Sequence, residues 1–306
     1  ISAFIQNQLS AGKTHYDENM FFQALSEIEI LDFYCSRFPA KSAVYEPRLG
    51  VGQANPEASF RAMFPCDQGE DFEIKVNIEV KTPRFPSLDE CHDRSAISTV
   101  LLTNEGRDKF QQLCESHGVM CVFPRVNKLV EFINSASKKF QEPKENEYNL
   151  LYINWSYSDF PSNSFLEAWS LLTNDFNGLL THREIGPKLH LSEPLNPEAF
   201  SKITAIIVYT SSLDQLMFTD FRYVWQGTNP DVGQRFRMFV LDEKLRDAEI
   251  SCNSKVLFTI TGMRPSILEP KSWKLLFNRN RNSNTIDDQL FCRQALDIIN
   301  EYPLTF

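Results

Sequence analysis

The hydrophobic and polar positions of the chain fall into two periods, and their order along the sequence predicts a mixed α/β core. From Asp17 to Phe38 apolar side chains recur at Phe21, Ala24, Leu25, Ile28 and Leu31, a helical stripe that Pro39 terminates. SAVYEPRLGVG is a short β-prone run, and Ser59 to Phe64 is expected to be extended. The clearest strand follows. Phe72, Ile74, Val76, Ile78 and Val80 alternate with Glu73, Lys75, Asn77, Glu79 and Lys81, so one face is apolar and the other charged. TPRFP ends it, since Pro83 and Pro86 cannot donate to a ladder.

Helices are predicted over Asn104–Ser116 and Asn127–Phe140, the second with Leu129, Val130, Phe132, Ile133 and Ala136 on one face. GVMCVFP, LLYINW (150–155) and ITAIIVYTS (203–211) read as buried strands, and FLEAWSLLT (165–173) as a helix. Beyond Ser212 the pattern is less regular. FRYVW, RFRMFVL and KVLFTI read as strands or buried runs, and Asp287 to Tyr302 as a closing helix. The expected organisation is an α/β core over residues 1–212, with 213–306 completing it or forming a small recognition subdomain.

Composition narrows the class. With 42% hydrophobic and 12% aromatic residues, the chain can bury a sizeable core, which excludes a disordered or collagen-like polymer. No apolar run reaches the ~18 residues of a membrane span, and no basic flank precedes an apolar stretch at the start, so neither a transmembrane helix nor a secretory signal is expected. Seven scattered cysteines without a CxxC pair argue against a disulfide framework or a zinc ribbon, and a reducing, cytoplasmic setting fits best. The net charge of −9 offers no global attraction to nucleic acid or anionic membrane. A polyanion would have to be met locally. Residues 251–286 supply such a patch: Lys255, Arg264, Lys271, Lys274, Arg279 and Arg281 stand against Glu269 alone, with Trp273 and Phe277 among them.

Neither a GxxxxGK[ST] loop nor a GxGxxG turn is present, so P-loop nucleotide hydrolysis and a dinucleotide cofactor are not expected. DECHD around His92 reads as a surface loop, and His182 and His190 have no nucleophile motif to serve. Lys138, Lys139 and Lys144 read as cations favoured at a helix end. The chemistry sits elsewhere. Glu79 and Lys81, two apart on the long strand, project from one face and bring a carboxylate beside an ammonium. A solvated strand face is the plain alternative for such a pair.

The order SEIEIL (26–31), YEPRLG (45–50), NPEASF (55–60) and NIEVKT (77–82) resembles the PD-(D/E)xK nuclease superfamily over residues 18 to 155. The resemblance implies a restriction-endonuclease-like fold, a mixed β-sheet flanked by helices, here with a C-terminal elaboration. It implies Mg²⁺, which Mn²⁺ can replace, held by Glu57 and Glu79, with Lys81 positioning or activating the attacking water. Glu27 would be the helix-borne acid, with Glu29 its rival. Glu57 departs from the family's usual Asp after Pro, which leaves Asp67 and Asp71 as alternative second acids. The implied activity is hydrolysis of phosphodiester bonds, most readily of DNA, in a restriction or anti-phage enzyme. Lys271, Lys274, Arg279 and Arg281 would contact the phosphate backbone, and a homodimer would let two sites cut two strands. An inactivated copy of the fold, kept as a binding module, is the competing expectation.

Overall fold

The computed structural model describes residues 17–38, 42–49, 54–65, 70–83, 96–99, 102–156, 164–174, 178–181, 193–211, 236–241, 256, 260–261, 275–278 and 288–303. The chain divides into two compact units. One comprises residues 1–84, 130–156 and 195–267, and the other 85–129, 157–194 and 268–306.

Among the described residues the first unit begins with helix α1 (Glu18–Arg37), whose first turn is closed by the Asp17 carboxylate accepting from the Met20 N–H at 3.1 Å. Strands β1 (Val44–Tyr45), β2 (Ala58–Phe64) and β3 (Phe72–Lys81) follow. Strand β6 (Glu147–Asn154), a short helix Ala199–Lys202, β7 (Ala205–Tyr209) and β8 (Phe236–Val240) come later among its described residues. The six strands form one sheet in the order β1-β2-β3-β6-β7-β8. The central trio β3, β6 and β7 is parallel, and its flanks are antiparallel. Parallel strands carry helices on both faces, which is why LLYIN and AIIVY are apolar at nearly every position rather than alternating.

On one face Ile30, Phe33 and Tyr34 of α1, with Phe38 just past its end, pack onto Phe60, Val76, Ile78, Tyr152, Ile207 and Met238. The Tyr34 and Tyr152 hydroxyls meet at 2.7 Å, which satisfies two phenols that carry no solvent exposure. The predicted helical stripe is out of phase with this packing. Ile28 is exposed, whereas Phe22, Ser26, Glu27, Glu29, Ile30 and Phe33 are buried, so the inward face of α1 is polar towards its N-terminal half.

The charged face of β3 is not a solvated surface. Glu73 is exposed and Lys75 half-buried, but Asn77 and Glu79 are buried. Asn77 donates to Glu147 Oε1 at 2.8 Å and to Asn149 Oδ1 at 2.7 Å, and Lys75 Nζ reaches Glu147 Oε1 at 2.6 Å. Asn149 donates in turn to the Gln141 and Lys202 carbonyls, both at 2.7 Å. The two asparagines pair across the parallel β3–β6 register, so both amide NH2 groups are hydrogen-bonded, while the buried Asn77 Oδ1 has no partner.

The second unit is built on a three-stranded sheet of β5 (Met120–Val122), β4 (Ala96–Thr99) and β9 (Leu275–Asn278). Its core joins Ile97 to Phe110 and Cys114 of helix α2 (Asn104–Ser116) and to Phe291, Ala295 and Ile299 of the C-terminal helix Asp288–Glu301. Gly106 lies against Tyr302, where a Cβ would fall 2.5 Å from the tyrosine Cβ. Helix Ser164–Thr173 presents Glu167, buried and held by the Arg125 guanidinium through Nη2 at 2.7 Å and by the Arg125 amide at 3.0 Å. Strand β4 has no counterpart among the predicted strands. Of KVLFTI, Val256 and Ile260 are buried as expected, but they are helical.

Candidate active site

Three glutamates and two lysines of the first unit converge at the C-terminal end of β3. The β2–β3 register pairs Ala58 with Ile78, so one step further along the two chains Glu57 stands opposite Glu79 on the same side of the sheet. Glu57 occupies the bend entering β2, and its carbonyl accepts the Glu46 amide at 2.9 Å. Glu79 has no solvent exposure. Lys81, two residues on, places Nζ 2.7 Å from Glu79 Oε1, the side-by-side arrangement that the strand period predicts.

The second cation comes from helix α3 (Val126–Lys139). Lys139 Nζ lies 2.8 Å from Glu79 Oε1 and 3.5 Å from Glu57 Oε1, so one ammonium reaches both carboxylates. Glu79 Oε1 is thereby shared by two lysines, while Glu79 Oε2, equally buried, accepts no hydrogen bond from the protein.

Glu27 enters from α1, steadied by Gln23 Nε2 at 3.0 Å. Burial raises its pKa, the nearby Glu79 charge adds to the rise, and Gln23, Lys139 and Lys81 oppose it. Glu57 is pushed up to about 8, first by burial and then by the Glu27 and Glu79 charges. Burial works against the Lys139 ammonium, but Glu79 and Glu57 outweigh it and hold its pKa above the ordinary value. The arrangement is that of carboxylates crowded in a low-dielectric site, each favouring a cation or a proton between them.

Of the acids named from sequence, Glu27, Glu57 and Glu79 come together. Glu29 does not join them: it accepts from Ser211 Oγ at 3.1 Å. Asp71 is exposed just before β3, and eight residues of strand at about 3.3 Å each separate it from Glu79. Asp67, His92, His182, His190 and the basic residues Lys271, Lys274, Arg279 and Arg281 lie outside the described residues. Lys139 is the site residue that sequence reasoning assigned to a helix end. Its signal was helical phase: it stands three residues after buried Ala136, in line with the apolar stripe, whereas exposed Lys138 is off that line.

Among the described residues no group of three or more His, Cys, Asp and Glu side chains is disposed to hold a metal ion. The pair Glu57 and Glu79 remains a donor set of hard oxygens, and the unsatisfied Glu79 Oε2 gives it a free coordinating atom. That fits Mg²⁺, which takes one or two carboxylates and keeps several waters. No helix among the described residues is long and apolar enough to cross a membrane. No protein-family profile, curated protein or solved structure matches the chain.

Proposed function

We propose that the chain is a Mg²⁺-dependent endonuclease of PD-(D/E)xK type, acting on DNA, with Glu57 and Glu79 as metal ligands, Lys81 beside them and Glu27 behind. The observation that carries this reading is the meeting of Glu57, Glu79 and Lys81 at one point, with both carboxylates within ion-pair reach of a single cation. Two neighbouring buried glutamates are expensive even with lysines beside them, since the desolvation penalty is several kcal/mol per ion and pairing need not repay it. A function that uses them accounts for their presence.

Bound at Glu57 and Glu79, Mg²⁺ would lower the pKa of a coordinated water and neutralise charge developing on the scissile phosphate; Mn²⁺ would serve equally. The chain's own groups do the rest. Lys81, held by Glu79, keeps a positive charge at the position where the attacking water and a phosphate oxygen would sit. Glu27, whose pKa is raised by burial, can take or return a proton at the edge of the site. Burial of Glu79 excludes bulk water from the carboxylates and strengthens each of these interactions. The basic segment with Lys271, Lys274, Arg279 and Arg281 would supply backbone contacts, and a homodimer would supply the second cut of a duplex.

One observation favours a second reading, a catalytically silent module of the same fold. Lys139 stands between Glu57 and Glu79, where an ammonium can neutralise the pair permanently. Cleavage of supercoiled plasmid and of a single-stranded oligonucleotide, with Mg²⁺, Mn²⁺ or EDTA, separates the two. Metal-dependent cutting by the wild type and its loss in Lys81→Ala support the nuclease; no cutting, with salt-sensitive DNA binding, supports the silent module.

A further inference from the structure

Lys139 has no role in the chemistry set out for Glu57, Glu79 and Lys81, yet it is the group in contact with both metal-binding carboxylates. Its side chain is 21% exposed, so the ammonium that meets the two carboxylates is largely withdrawn from solvent. Two ammonium groups crowd one oxygen, Glu79 Oε1, while Oε2 of the same carboxylate has no hydrogen-bonding partner. Lys81 alone already gives Glu79 a salt bridge, at 2.7 Å. Lys139 is therefore surplus to that pair and is, among the described residues, the cation in contact with Glu57.

Charge arithmetic gives the surplus a meaning. Once a bound cation displaces the protons that burial favours on Glu27 and Glu57, the three ionised carboxylates and two lysines sum to −1. Exchange of the Lys139 ammonium for a divalent cation brings the inner cluster to neutrality and leaves a positive side chain at its rim. Lysine suits such an exchange, being a compact point charge on a flexible four-carbon stem rather than a planar fork locked into bidentate geometry.

Building on the nuclease reading, we infer that Lys139 is a tethered counterion: it holds the Glu57–Glu79 pair in the metal-free protein, yields that place to a divalent cation, and then binds a non-bridging oxygen of the substrate phosphodiester. The site would thus be kept from collapsing by its own repulsion and would take up the metal in exchange for a lysine. The displaced ammonium would serve the polyanionic substrate, which arrives where the exchange has just placed a free positive charge.

The test is calorimetric titration of the full chain with Mn²⁺, for wild type, Lys139→Met and the neighbouring control Lys138→Met. Relief from an internal competitor is expected to tighten Mn²⁺ binding by about tenfold or more in Lys139→Met and to leave Lys138→Met at the wild-type value. In Ca²⁺, binding of a DNA oligonucleotide to Lys139→Met is expected to weaken by about tenfold. Should Lys139→Met fail to fold, amine labelling of the wild type read by peptide mass spectrometry asks the same question: saturating Mn²⁺ should raise the reactivity of Lys139 and not that of Lys138.

Wild-type metal binding that Lys139→Met leaves unchanged or weakens, or Lys139 labelling indifferent to the metal, would overturn the counterion and leave the nuclease reading standing. Metal binding by Lys139→Met alone would support the counterion while removing the metal-dependent activity of the wild type. Failure of both proteins to bind would overturn both.

Discussion

Glu79 and Lys81 make an ion pair of 2.7 Å in which the carboxylate has no exposure and the lysine retains a little. Such a pair is a poor stabiliser, because removing the carboxylate from water costs about as much as the ammonium returns. Removing both charges together, as in the double variant Glu79→Gln with Lys81→Met, is therefore expected to change unfolding free energy by less than about 1 kcal/mol, while abolishing metal-dependent cleavage. Urea unfolding beside the plasmid assay reads both. A loss of several kcal/mol in stability would identify the cluster as structural.

Glu29 supplies a pH dependence with a definite sign. Burial drives its pKa well above the ordinary 4.5, and the Ser211 hydrogen bond only partly opposes this. The native state then holds a proton that the unfolded chain releases, so stability is full below about pH 4.5 and is lost as pH rises towards the folded value. Glu29→Gln, which keeps the shape and cannot ionise, should flatten that decline and leave the protein more stable above neutrality. Urea midpoints measured across the pH range would show it; parallel profiles would rule out Glu29 as the source.

In the second unit Arg125 is expected to be costly to remove. Its guanidinium and its amide both hold Glu167, a carboxylate with 1% exposure. Arg125→Ala would leave that charge buried without the guanidinium, a loss of about 3–5 kcal/mol. Arg125→Lys should recover only part of it, since a point charge cannot reproduce the two-toothed contact. Equal melting temperatures for the two variants would contradict this.

Gly106 tests a close approach. An added Cβ would meet the Tyr302 Cβ at 2.5 Å and its carbonyl oxygen at 3.2 Å, neither of which can turn aside as a flexible side-chain tip could. Gly106→Ala is expected to cost about 1–3 kcal/mol by overpacking, despite the better helix propensity of alanine. Thermal unfolding at or above the wild-type midpoint would refute the contact.

Much of the fold was legible because its strongest elements are written in one period each. The ten residues of β3 follow strict alternation, α2 spans the predicted Asn104–Ser116, β7 lies within its apolar run, and β6 overlaps its own but begins three residues earlier, at Glu147. What escaped were consequences of tertiary cover. Alternation announced a charged face on β3, and only tertiary cover, which withdraws Asn77 and Glu79 from solvent, turned that face from solvent surface into a site. The α1 stripe was misphased for a related reason: Glu27 and Glu29 are buried by function-like polar surroundings, which a rule that sends charges outward reads as the wrong side of the helix. Lys139 was visible as a cation and not as a partner, because its carboxylates come from two strands far away in sequence. β4 is four residues long with no marked alternation, too short to stand out.

Strand β3, inside the sheet, also carries a graded set of opposite charges along its length. Arg61–Glu73 is more than half exposed on both sides, Lys75–Glu147 is 23% and 14% exposed, and Lys81–Glu79 is 17% and 0% exposed. Ions from the solvent reach the first freely, the second partly and the third scarcely at all, since screening acts through water. One strand therefore works as a depth gauge for salt. As ionic strength climbs, its attractions fade from one end, and the last to persist is the one beside the candidate catalytic carboxylates.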